Sequence, residues 1–60
     1  MISERDEFRR RIDGTKWRVY IPDAKESGPP TAVLELVEDT KQTVAVLVND
    51  LENEHGWKRL

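Results

Sequence analysis

Residues able to do chemistry are sparse in this chain. There is one histidine, His55, no cysteine, and serine only at Ser3 and Ser27. Nucleophilic catalysis needs a hydroxyl or thiol within reach of a base, and here each serine is better used as a helix cap or a loop residue. Glu52 and His55 stand at i, i+3, the spacing by which di-iron bundles supply a carboxylate and an imidazole to one metal. No second such pair accompanies them, so the sequence predicts no metal site. Asp50, Glu52 and Glu54 follow one another along one stretch and do not converge as a general acid and base must. Gly14, Gly28 and Gly56 are too far apart for a phosphate-cradling loop. No enzyme activity, cofactor or small-molecule substrate is expected.

The remaining chemistry is that of charge. Arg9, Arg10 and Arg11, with Lys16 and Arg18 near Trp17 and Tyr20, and with Lys58 and Arg59 at the far end, offer cations and aromatic faces of the kind that contact nucleic acid. The net charge is -2, which opposes general binding to a polyanion. The charge is also unevenly spread. Residues 1–20 set Arg5, Arg9, Arg10, Arg11, Lys16 and Arg18 against Glu4, Asp6, Glu7 and Asp13, whereas Lys25 and Lys41 are the only bases between Ile21 and Glu54. A fold with one basic and one acidic surface is expected.

The elements that must position these groups begin with a helix over about 3–13. Ser3 is a good N-cap with Asp6 three residues on, the acids precede the arginines as the helix dipole prefers, and Gly14 stands where a helix would stop. Residues 16–21 alternate and are rich in β-formers, which predicts a strand with Trp17, Val19 and Ile21 on its core side. Pro22 and the stretch 23–30 with Gly28, Pro29 and Pro30 read as a polar loop. The segment 31–38 fits either period, since Val33, Leu36 and Val37 suit a helical stripe, but a Val/Leu run just after a loop favours a second strand presenting Ala32, Leu34 and Leu36 to the first. Val44, Leu47, Val48 and Leu51 then recur at helical spacing, with Gly56 as a stop, and predict a helix over about 41–55. Its rival is a valine-rich hairpin turning at 39–42, favoured by the low helix propensity of β-branched residues. Trp57 to Leu60 is available as a short last strand.

The expected fold class is therefore α+β, one domain over 1–60 in which two helices cover a small antiparallel sheet. The runner-up is a winged-helix-like arrangement with a recognition helix at 42–54, although Asp50, Glu52 and Glu54 would repel phosphate there. Such a short chain, 37% hydrophobic and 37% charged, has a thin stability margin and no disulfide or metal to widen it. Self-association is the natural remedy. Val33 and Val37 on the second face of a strand, and Val46 opposite the helical stripe, are the expected protein interface. The opening residues hold no apolar run of signal-peptide length, and no stretch reaches the ~20 apolar residues of a membrane span. The sequence thus predicts a cytoplasmic, non-enzymatic interaction or regulatory module that acts through protein contacts as a homodimer. The alternative is a nucleic-acid-binding regulator using Arg9, Arg10, Arg11, Lys16, Arg18, Lys58 and Arg59.

Overall fold

A computed structural model describes residues 1–24 and 27–60. Its strands are β1 (Glu7–Arg10), β2 (Lys16–Ile21), β3 (Thr31–Leu36), β4 (Asp39–Leu47) and β5 (Trp57–Arg59), with one five-residue helix, α1 (Val48–Glu52), between the last two. They form one sheet in the order β4-β3-β2-β1-β5. Every pairing is antiparallel, so the first four strands are a meander and the fifth returns to the free side of β1. This corrects the expected α+β arrangement: among the described residues neither of the two expected covering helices forms, the single short helix α1 takes their place, and the winged-helix-like alternative fails with them.

The N-terminal helix is absent because its signals serve a turn. Ser3 N–H donates to Asp6 Oδ2 at 2.9 Å, and Asp6 N–H donates to Ser3 O at 3.1 Å. The first is one half of a capping box, but the second goes to the Ser3 backbone carbonyl as in a turn, and Arg5 sits at φ +75°, a left-handed conformation that a helix cannot continue through. The chain leaves as β1, with Phe8 turned inward. Gly14, at φ +72°, closes the β1–β2 hairpin instead of ending a helix, and its N–H donates to Arg10 O at 2.7 Å.

The second expected helix, over 41–55, is strand for its first half. Val44 and Val48 lie inward at either the helical or the strand period, and the strand period adds Val46, which is buried in the core, while leaving Leu47 41% exposed. The valines' preference for extended backbone and the pairing offered by β3 decide the outcome. The turn comes at 37–38, with Leu36 opposite Asp39, and a bulge follows before Glu35 meets Thr43. The Asp39 carboxylate holds this bulge by accepting from Lys41 N–H at 3.2 Å and Gln42 Nε2 at 3.1 Å. Of the loop expected at 23–30, residues 25 and 26 lie outside the described residues, and Ala24 N–H closes its base on Thr31 O at 2.7 Å.

The core lies on the inner face of the sheet, built from Phe8, Trp17, Val19, Ala32, Leu34, Val46 and Trp57, with Ile2 and Leu51 added from the connections. The inner positions are in register: Phe8 faces Trp17, Val19 faces Leu34, and Ala32 faces Val46. Helix α1 packs against both β4 and β5 and drops Leu51 into the core with no exposed surface. It thereby covers the inner face where the two edge strands would otherwise leave it open. Among the described residues no helix is long and apolar enough to cross a membrane.

Candidate functional site

The basic residues separate onto two faces. On the inner side of β1, the Arg10 guanidinium lies 4.8 Å from the Trp17 ring centroid and 6.0 Å from that of Trp57, and the two indoles meet edge to face at 6.3 Å. Arg10 is held there by Asp13, with Nη2 donating to Oδ2 at 2.7 Å. Asp13 also accepts from the Thr15 hydroxyl at 2.6 Å, and Thr15 Oγ1 accepts from Trp17 Nε1 at 2.6 Å. These bonds close a circuit at the hairpin end of the core. The Arg10 hydrogen bond, then those of Thr15, hold the Asp13 carboxyl far below the usual carboxylate range, and the same pairing raises Arg10. Arg59 does likewise lower on the sheet, 5.0 Å from the Phe8 ring and paired to Asp6 at 3.0 Å. Asp6 is lowered, first by the Ser3 N–H and also by Arg59. Both arginines therefore cap the core.

On the outer face, Arg9 of β1 stands opposite Lys16 of β2 on one side and Lys58 of β5 on the other. This row places three cations side by side, although Lys16 also lies 3.4 Å from Glu7. Arg9 donates to Gly14 O at 2.8 Å, and no ion pair joins Arg9 or Lys58 to a carboxylate among the described residues. One row along, Arg18 sits between Glu7 at 3.4 Å and Glu35 at 3.8 Å. Arg11 leaves the sheet and meets Glu54 at 3.8 Å. Of the basic residues singled out in the sequence, then, Arg9, Lys16 and Lys58 are brought together, while Arg10, Arg11, Arg18 and Arg59 are spent on internal pairs.

The apolar residues make a second outer feature at the other end of the sheet. Val33 of β3 is half-buried, flanked in register by Ile21 of β2 and Ala45 of β4. Ile21 is on this face because the register shifts between Val19 and Ile21, which removes it from the core position that strict alternation assigns. Tyr20 and Leu47 are exposed nearby, at 54% and 41%. Val37 is half-buried at the β3–β4 turn, where its N–H donates to Lys16 O at 3.0 Å. Val46, expected at the interface when read on a helix, belongs to the core. Tyr20 was expected as an aromatic face beside the cations, Ile21 in the core and Leu47 on a helical stripe, and Ala45 in no role; the signal for the β4 pair was the strand reading of 43–48, which turns Thr43, Ala45 and Leu47 outward.

Strand β4 bounds this patch and, among the described residues, pairs only with β3. An edge strand presents unpaired N–H and C=O groups that attract further strands unless it is short, charged or bulged. The β5 edge is protected in this way, being three residues long and carrying Lys58 and Arg59. The start of β4 is protected by its bulge and Lys41, but Thr43–Leu47 carries neither bulge nor charge. Between the two outer features lies a shallow groove of about 410 Å³ lined by Glu4, Arg5, Arg18, Val19, Tyr20 and Glu35. Among the described residues no group of His, Cys, Asp or Glu could hold a metal ion, and His55 is exposed in the connection between α1 and β5. Compared with protein families, curated proteins and solved structures, the chain matches none.

Proposed function

We propose that this chain is a cytoplasmic, non-enzymatic interaction module that docks a protein segment in extended conformation along the β4 edge. The observation that carries this reading is the open half of β4, Thr43–Leu47, lying beside the outer row Ile21, Val33 and Ala45. Main-chain bonding to an edge supplies affinity in such docking, and pockets or patches for alternate side chains supply selectivity. The test is selection from a library of displayed random peptides, followed by amide NMR mapping of the peptides recovered. Shifts gathered on residues 43–47 and on Ile21 and Val33 support the reading. Failure to recover binders, or shifts confined elsewhere, overturns it.

A second reading, nucleic-acid binding, draws support from the in-register cations Lys16, Arg9 and Lys58. Exposed ion pairs such as Lys16 with Glu7 are worth only about 0–1 kcal/mol, so a phosphate could displace the carboxylate. Titration with short duplex DNA at low and physiological salt separates the two readings, because phosphate contacts weaken steeply with salt. The informative variant is Arg9→Glu with Lys58→Glu. Substituting Arg10 would instead break the core cap and confuse folding with binding.

A further inference from the structure

We infer that the occupant of the β4 edge is a second copy of this chain, paired antiparallel about a two-fold axis that passes between the two Ala45 residues. The inference rests on the docking reading above and names its partner. The chemistry of the edge is self-complementary. A two-fold axis normal to the sheet at Ala45 sets Thr43 opposite Leu47 of the second copy and Val44 opposite Val46, so that outer residues meet outer residues and inner ones meet inner ones. No charge lies within Thr43–Leu47, so the pair brings no like charges together, which is the condition most edge strands violate by design.

The ends of the paired segment carry opposite charges. Lys41 lies just before it and Asp50 just after it, in α1, and no ion pair engages either side chain within the protomer among the described residues. Antiparallel pairing brings the Lys41 end of each copy to the Asp50 end of the other, twice. A shift of register by one residue would turn Leu47 to the wrong face and lose this match. The joined sheets would also run Ile21, Val33 and Ala45 into their counterparts as one apolar row across the dimer. Five paired residues on each side make a small interface, which fits a weak dimer and not an obligate one.

The test uses the whole chain in sedimentation equilibrium up to about 1 mM. The wild type is expected to dimerise. Ala45→Lys and Ala45→Glu, each placing like charges opposite one another at the axis, are expected to raise the dissociation constant about tenfold or more. Mixing the two variants is expected to restore dimers, because only a register pairing residue 45 with itself sets lysine against glutamate. If a variant fails to fold, a spin label on Thr43→Cys in an unlabelled copy serves instead, and should broaden the Leu47 amide of an isotopically labelled wild-type copy. A monomeric wild type at about 1 mM, a dimer indifferent to both substitutions, no rescue on mixing, or no broadening at Leu47 overturns the inference. Peptides that still map to 43–47 on a monomeric protein would leave the docking reading standing, and their absence would remove both.

Discussion

At the scale of single residues, Asp13 ties the β1–β2 hairpin together, since it joins Arg10, Thr15 and through Thr15 Trp17. Its carboxyl is depressed in the folded protein, so the charged form contributes stability that is present above the unfolded value near 4 and is lost as pH falls through the depressed one. The wild type should therefore weaken progressively below about pH 4. Asp13→Asn, which keeps the size but loses the charge, should be less stable at neutral pH and show a flatter acid limb, as read by urea midpoints across pH. An equal acid limb in the variant would mean that other carboxylates carry the dependence. Arg10 shows why the three consecutive arginines could not be read as one patch. Along a strand successive side chains point to opposite faces, so Arg9 joins the outer cation row while Arg10 turns in to the indoles.

At the scale of elements, Gly14 separates the two interpretations of the first segment. A helix stop and a hairpin turn both place a residue at positive φ, so glycine there could not choose between them. Ser3 and Asp6 carry the same ambiguity, because the bond from Ser3 N–H to the Asp6 carboxylate forms whether or not a helix follows. What decides is long-range: Phe8 gains a place opposite Trp17, and β1 gains partners on both sides, whereas a helix over 3–13 would have offered only Phe8 and Ile12 to a core. The strand at 16–21 was legible because alternation and residue type agree there, whereas the one expected at 31–38 also suits a helical stripe and ends at Leu36, where the turn begins. The Ile21 shift was not legible, since a bulge leaves no mark on alternation. Gly14 has open space where a Cβ would stand, so the cost of Gly14→Ala is conformational alone, about 1–2 kcal/mol. Gly14→Asn should cost less, because asparagine tolerates the left-handed region. Thermal unfolding of both variants checks this, and equal losses would show that something other than φ governs the turn.

At the scale of the whole molecule, one small inner face must stabilise 60 residues, and chains of this size reach only about 3–9 kcal/mol in total. Leu34 has no exposed surface and sits between Val19 and Val44 in register. Leu34→Ala is expected to remove about 2–5 kcal/mol, which is a large part of that total and should leave much of the isolated variant unfolded. Association changes the outcome. A partner that binds only the folded chain adds stability that grows with concentration, so if β4 pairs with β4, the Leu34→Ala variant should regain structure as its concentration rises. The double variant Leu34→Ala with Ala45→Lys should not, because residue 45 lies on the outer face and leaves the core untouched. Circular dichroism across a dilution series reads both. Melting curves of the two variants that coincide at every concentration would mean that folding draws nothing from association, and that the inner face alone sets the stability of the domain.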